Sequence, residues 1–133
     1  MLYVGIDLGT SAVKLLLMDS QGEVKNVVSR EYPISFPHNG WSEQNPEDWY
    51  RETMLGLEEL ISSVSKDEVA GISFSGQMHG LVTLDDKDEV IRPAILWNDG
   101  RTAQVAFPAC AVRQGRSLVR VSSGLRPACL WLG

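Results

Sequence analysis

The sequence predicts an α/β fold built on a mixed sheet, with the element order β-β-β-α-β. Two apolar runs, residues 2–8 and 12–18, are joined by a turn short enough to require a hairpin, so these strands are antiparallel. A third strand is predicted at about residues 23–36, after a turn at 20–22. A helix then leads to a strand at 69–75, which predicts a crossover to a strand parallel with the first.

The helix is predicted from its start signals and its periodicity. Asn45 is the expected N-cap, Pro46 takes the first helical position, and Glu47 and Asp48 follow in the first turn, where acids interact favourably with the helix dipole. Its apolar residues recur every three to four positions and are expected to face the sheet. They are Trp49, Thr53 or Met54, Leu57, Leu60, Ile61 and Val64.

The later elements are predicted to be short. Residues 81–84 and 90–91 are expected to form a hairpin around the acidic turn 85–88, and residues 95–97 a further strand. Neither G-x-G-x-x-G nor G-x-x-x-x-G-K-[ST] occurs, which excludes the common dinucleotide and P-loop motifs.

Composition narrows the class of protein. A chain of 133 residues with 44% hydrophobic content has room for roughly one domain with a core. The net charge of −5 argues against nucleic acid or an anionic membrane as partner. No apolar run approaches the ~20 residues of a membrane span, and no signal peptide is expected. Cys110 and Cys129 form no C-x-x-C pair and predict neither a zinc site nor a disulfide framework, so we expect a cytoplasmic protein.

The charges are unevenly distributed along the chain. Residues 1–102 hold all 17 acidic residues and eight of the 12 basic ones, whereas residues 103–133 hold four arginines, no acid and both cysteines. A basic tail for an acidic partner is one interpretation. A change of reading frame is the favoured one, because out-of-frame translation commonly gives Arg, Ala, Pro, Cys, Ser and Gly. We therefore expect residues 1–102 to be a partial domain and residues 103–133 an atypical, frame-shifted and disordered tail.

The first turn contains groups suited to a phosphate chain and its metal ion. Asp7 supplies a carboxylate, Gly9 a backbone without a side chain, and Thr10 and Ser11 two hydroxyls. Glycine allows close approach, N–H groups and hydroxyls donate to phosphate oxygens, and an acidic side chain holds Mg²⁺. An ordinary hairpin whose turn uses Asp and Gly for conformation is the alternative, and the residues alone leave both open.

Four motifs, taken together, resemble the FGGY family of carbohydrate kinases. They are Asp7-Leu-Gly-Thr-Ser11, Gly40-Trp-Ser-Glu-Gln-Asn-Pro-Glu-Asp-Trp49, Ser75-Gly-Gln-Met-His-Gly80 and Pro93-Ala-Ile-Leu-Trp-Asn-Asp-Gly-Arg101. The resemblance covers residues 1–102 and implies the ribonuclease H-like ATPase fold shared by actin, the heat-shock chaperones and the sugar kinases, here as part of the first lobe. Gln-Met-His-Gly resembles the xylulokinase branch in particular.

The resemblance implies ATP-dependent, Mg²⁺-requiring phosphorylation of D-xylulose to D-xylulose 5-phosphate. Asp7 would hold the metal and act in catalysis, while Gly9, Thr10 and Ser11 would line the phosphate path. Lys14 is a candidate phosphate neighbour, although a solvent-facing strand lysine is the commoner situation. The family's general base is an Asp in a later segment, and none of the acids here matches it.

The resemblance also implies a sugar site that contains Met78 and His79. Gln77 and Asp99 are weaker candidates, because Asn98-Asp99-Gly100 also reads as a turn. The tryptophans at 41, 49 and 97 could stack on a sugar, but core and loop packing is the favoured interpretation.

Two other interpretations stay open. One is a truncated, non-catalytic product that is inactive alone and binds sugar or phosphate weakly at most. The other is a chaperone-like ATPase of the same fold, for which Gln-Met-His-Gly has no evident use. A homodimer of the full-length protein is one option for its assembly.

Overall fold

The structure is a computed structural model, and it describes residues 1–102. This part of the chain forms two compact units. The first consists of residues 1–34 and 45–78, and the second of residues 35–44 and the described residues from 79 onward. Each unit has a sheet of its own, with four strands in the first and two in the second.

The first unit contains the predicted mixed sheet. In chain order the described elements of the two units are β1 (Leu2–Leu8), β2 (Ala12–Asp19), β3 (Val24–Glu31), β4 (Glu43–Gln44), α1 (Pro46–Leu60), a 3-10 helix (Lys66–Glu68), β5 (Val69–Gly76) and β6 (Ala94–Ile95). The strand order of the first sheet is β3-β2-β1-β5. β2 is antiparallel to both of its neighbours, β1 and β3, whereas β5 is parallel to β1. The predicted β-β-β-α-β order and helical crossover are confirmed.

The core lies between this sheet and α1. Alternate side chains of β1 and β2, among them Val4, Ile6 and Leu15, are buried and cluster with Leu60 of the helix. Gly56 brings the helix close to the sheet, because a Cβ at this position would lie 2.6 Å from Cδ1 of Leu15. The period-two alternation of the first two strands thus decides which sheet face the helix covers.

The helix begins as the sequence predicts. The side chain of Asn45 accepts a hydrogen bond from the N–H of Glu47 at 3.2 Å, and Pro46 occupies the first turn. Leu57 packs against the core, as expected. Of the two alternatives at the next position of the stripe, Thr53 is half-buried and Met54 is exposed.

The third strand is shorter than predicted. It ends at Glu31 rather than near residue 36. The N–H of Tyr32 still donates to the carbonyl of Ser11, at 3.2 Å, but Pro33 has no N–H with which to continue the ladder.

The second unit differs most from the sequence prediction. β4, which was not predicted, pairs antiparallel with β6. The expected hairpin of residues 81–91 is reduced to the isolated bridge Leu84–Val90 around its turn. The expected strand at 95–97 is wrong in its bounds: β6 ends at Ile95, and a turn follows in which the N–H of Asp99 donates to the carbonyl of Leu96.

The edge strand β5 exposes apolar side chains in the described sheet. Ile72 and Phe74 are exposed by 49% and 73%. Their partners on β1, Val4 and Ile6, are buried beneath α1. The helix therefore covers the centre of this sheet face and leaves its β5 edge open.

Two expectations fall beyond the described chain. The atypical tail, residues 103–133, lies outside the described residues, and so do Cys110 and Cys129. The division at residue 102 therefore stays a prediction. Within residues 1–102, no helix has the length and apolar character needed to cross a membrane.

Candidate active site

Asp7 lies near the end of β1, beside polar residues of both neighbouring strands. Its register partner on β2 is Lys14, and its partner on β5 is Ser75. Directly opposed residues of a sheet project from the same face, and both Asp7 and Lys14 are exposed. The pairing places a carboxylate and an ammonium side by side at the surface.

These residues line an open depression across the four strands of the first sheet. It has a volume of about 390 Å³, and its polar side chains come from Asp7, Lys14, Ser73 and Ser75. A concave surface with a few convergent polar groups is the usual form of a small-molecule site. Lys14 contributes to this surface, so its solvent-facing position is compatible with contact to a ligand.

The turn after β1 is closed by its own backbone. The N–H of Gly9 donates to the carbonyl of Ala12 at 3.0 Å. A Cβ at Gly9 would lie 2.9 Å from that same oxygen, so a larger residue requires the backbone to move. Thr10 is half-buried and Ser11 is exposed. The conformational role of Gly9 and a phosphate-binding role of the turn are therefore compatible with each other.

Tyr32, which sequence reasoning missed, supports this turn. Its hydroxyl donates to the carbonyl of Gly9, and its backbone N–H donates to the carbonyl of Ser11. The side chain is only 6% exposed. Burial, with a smaller contribution from the charge of Asp7, raises the pKa of Tyr32 to about 12. The hydroxyl therefore keeps its proton and donates at any neutral pH.

The segment after β5 begins beside the same turn. The N–H of Gln77 donates to the carbonyl of Leu8 at 2.8 Å, which fixes the start of the Gln-Met-His-Gly segment next to the end of β1. Met78 and His79 are both exposed. His79 has a φ of 61°, a left-handed conformation that costs a residue other than glycine some energy.

Asp99 lies in a cluster of buried charges in the second unit. Its side chain is 2% exposed, and Arg101 donates to both carboxylate oxygens, at 2.8 and 2.7 Å. The N–H of Ser42 also donates to it, at 2.7 Å. Arg101 and these donors hold the pKa of Asp99 well below its usual range. Because both oxygens already accept hydrogen bonds, the geometry favours the turn interpretation over contact with sugar.

Glu43 and Arg101 complete this cluster, and sequence reasoning missed both. The guanidinium of Arg101 donates to Glu43 at 2.7 Å, and Arg92 donates to the same oxygen at 2.6 Å. The guanidinium carbon of Arg101 also lies 3.8 Å from the ring centre of Trp41. In the sequence, the one sign of an interaction between these two residues was the number of charged residues in the motifs that contain them.

The three tryptophans have different surroundings. Trp49 packs against the core of the first unit, as the packing interpretation requires. Trp41 is covered by Arg101 and meets the ring of His38 edge-on, with centroids 4.6 Å apart. Trp97 is 57% exposed, and the prediction that it packs a loop stays a prediction.

The turn residues fit a magnesium–phosphate group. Within residues 1–102, no three His, Cys, Asp or Glu side chains are placed to hold a metal ion together. Mg²⁺ needs no such cluster, because it keeps several waters and binds through one or two carboxylates and the phosphates of its nucleotide. Asp7 would supply the carboxylate, and Thr10, Ser11 and Lys14 would supply donors for phosphate oxygens.

Comparison with known proteins decides the family. Residues 2–115 match the model of the FGGY family of carbohydrate kinases, N-terminal domain. The chain belongs to this family. The resemblance read from its motifs is therefore confirmed, and so is the actin-like α/β fold of the sugar kinases.

Individual FGGY relatives are similar over most of the chain. The xylulose kinase of Bacillus subtilis (strain 168) is 54% identical over 101 residues, which are 74% of this chain and 20% of that protein. The xylulose kinase of Escherichia coli (strain K12) is 48% identical over 103 residues, 77% of this chain and 21% of that protein. The crystal structure of the xylulose kinase from Rhodospirillum rubrum matches with a TM-score of 0.80 and 30% identity, covering 86% of this chain and 24% of that one. The chain thus spans about a fifth of the length of these curated FGGY relatives.

Proposed function

We propose that the protein carrying this chain transfers the γ-phosphoryl group of ATP to the 5-hydroxyl of D-xylulose, with Mg²⁺. The observation that supports this most is the pairing of Asp7 with Lys14 at one open surface, a few residues from the hydroxyls of the first turn. The identity to proteins named xylulose kinase, at 54% and 48%, supports the sugar.

The nucleotide end of the site belongs to the first unit. Mg-ATP, when bound, supplies the phosphoryl group and a cation that neutralises developing negative charge. Asp7 binds the metal through its carboxylate. Gly9 gives the phosphates access to the backbone, and Thr10 and Ser11 donate hydrogen bonds from their hydroxyls. Lys14 adds a positive charge beside Asp7.

The sugar end of the site is assigned to the Gln-Met-His-Gly segment. Met78 offers an exposed apolar contact, and His79 an imidazole that can donate to or accept from a sugar hydroxyl. The backbone hydrogen bond from Gln77 to Leu8, at the end of β1, supports this assignment. Asp99 acts here as a support of its own loop. The expected cytoplasmic location stays a prediction.

A coupled ADP assay on a full-length protein with these amino-terminal residues tests the proposal. We expect ADP formation that depends on both Mg²⁺ and D-xylulose, with the product identified as the 5-phosphate by mass and phosphorus NMR. Gluconate and glycerol serve as alternative substrates for comparison. Turnover with either of them and none with D-xylulose would show that the substrate is wrong. ADP formation without any sugar would favour an ATPase of another kind.

A further inference from the structure

Tyr32 contacts the phosphate turn from the buried side. It follows β3 directly, in the first unit, and no motif of the sequence includes it. Through its hydroxyl and its backbone N–H it reaches two carbonyls of the turn, those of Gly9 and Ser11. One residue thus fixes the turn at two points.

Four backbone carbonyls in and beside this turn accept hydrogen bonds from other groups of the protein. The N–H of Gln77 satisfies Leu8, Tyr32 satisfies Gly9 and Ser11, and the N–H of Gly9 satisfies Ala12. A carbonyl oxygen carries partial negative charge and repels a phosphate, whereas an N–H attracts one. Carbonyls held in this way are kept from rotating toward a bound phosphate.

The contact of Tyr32 with Gly9 differs in kind from the others. The other three donors are backbone N–H groups within or beside the sheet, whereas this one is a single side-chain hydroxyl. Gly9 is also the residue with the greatest backbone freedom in the turn. Its orientation therefore depends on Tyr32 more than that of any neighbour does.

We propose that Tyr32 is a positioning residue for the nucleotide: its buried hydroxyl holds the Gly9 peptide in the orientation that receives the phosphates of Mg-ATP. This inference rests on the proposed function only for the identity of the ligand. The raised pKa of Tyr32 supports it, because the hydroxyl remains a donor throughout the neutral and mildly alkaline range. In this role Tyr32 acts through its hydrogen bond to Gly9.

The test is the substitution Tyr32→Phe in the full-length protein, read out by calorimetric titration with Mg-ADP. Losing one hydrogen bond that orients the turn should weaken nucleotide affinity roughly fivefold. Affinity for D-xylulose should change by less than about twofold. Amide exchange of residues 9–12 should become faster than in the wild type.

Two control variants separate positioning from simple loss of stability. Tyr50→Phe makes the same chemical change on the exposed side of α1 and should leave nucleotide affinity unaltered. Val28→Ala removes a buried core contact of β3 without touching the turn. It should lower the thermal unfolding midpoint at least as much as Tyr32→Phe does, while keeping nucleotide affinity.

Equal Mg-ADP affinity in wild type and Tyr32→Phe would overturn the inference. An equal loss of affinity in Val28→Ala would overturn it too, because the effect would then follow stability alone. Failure of the proposed function looks different: the wild type would bind Mg-ADP and respond to Tyr32→Phe, yet would not phosphorylate D-xylulose.

Discussion

The phosphate turn of the first unit and the charged cluster of the second are stabilised by different parts of the chain. In the turn, backbone N–H and carbonyl groups pair over short distances, with Tyr32 as the side-chain exception. In the cluster, Asp99, Arg101 and Glu43 are joined by side-chain ion pairs. A site built from backbone groups needs glycine and short side chains at particular positions, and these are visible in the sequence. A side-chain network depends on charged residues that are far apart in the sequence and come together only when the chain folds.

The comparison predicts that the two regions fail differently when altered. A change in the turn should affect chemistry and nucleotide binding while the protein stays folded. A change in the cluster should affect the stability of its own unit. The predictions below test this difference, beginning with the largest expected effect.

The largest effect is expected at the metal-binding carboxylate. In the full-length protein, Asp7→Asn should lower kcat by orders of magnitude, because it removes the charge directed at Mg²⁺ and keeps the shape of the side chain. Affinity for D-xylulose, measured by calorimetry, should stay close to that of the wild type. Asp86→Asn, in an exposed turn, is the matched control and should be silent. Normal turnover in Asp7→Asn would remove Asp7 from the metal site.

The next effect is expected at the sugar end. His79→Ala should weaken D-xylulose affinity roughly tenfold or more, the usual effect of losing one good hydrogen bond to a substrate, while Mg-ADP affinity changes little. His38→Ala is the control, since His38 is also exposed but contacts the ring of Trp41. An unchanged sugar affinity in His79→Ala would leave the strained backbone at residue 79 as a purely structural feature.

These two predictions use residues that the sequence alone revealed, and the reason is proximity along the chain. Asp7, Gly9 and Ser11 lie within five positions, so their chemistry is visible as a motif. Tyr32 reaches Gly9 across 23 positions, and Arg101 reaches Glu43 across 58. Propensity and periodicity carry no information about such pairs, so both were missed.

The same limit applies to the fold. Strands β1, β2 and β5 and the start of α1 follow from alternation and from the Asn45 cap, which are local signals. The two-residue strands β4 and β6 exist only because they pair with each other, and neither is long enough to show a period. The third strand was predicted to be too long because residues with high strand propensity, such as Ile34, follow the residue at which it ends, and the effect of Pro33 was overlooked.

A smaller effect, on stability alone, is expected within the cluster. Arg101→Gln leaves two largely buried carboxylates, Asp99 and Glu43, without their shared cation and removes the contact with Trp41. It should lower the thermal unfolding midpoint more than Arg92→Gln does, because Arg92 is more exposed and, within residues 1–102, pairs with Glu43 alone. Calorimetric scans of both variants measure the difference. Equal shifts would show that the cluster contributes no more than an ordinary surface pair.

The smallest effect is expected in the acid range and concerns Asp99. Its pKa is depressed in the folded protein, mainly by Arg101, and an unfolded Asp has a pKa of about 3.9. The stabilisation that ionised Asp99 gives to the folded protein is therefore complete above about pH 4–5, and it is lost as the pH falls through the depressed pKa. Wild type should lose thermal stability more steeply between about pH 4 and pH 2 than Asp99→Asn, which has no carboxylate to protonate. Unfolding midpoints measured across this range, with Asp86→Asn as the control, would show it. Parallel curves for wild type and Asp99→Asn would mean that the ion pair with Arg101 adds nothing to folding, and that the cluster is held by its backbone hydrogen bonds as the turn is.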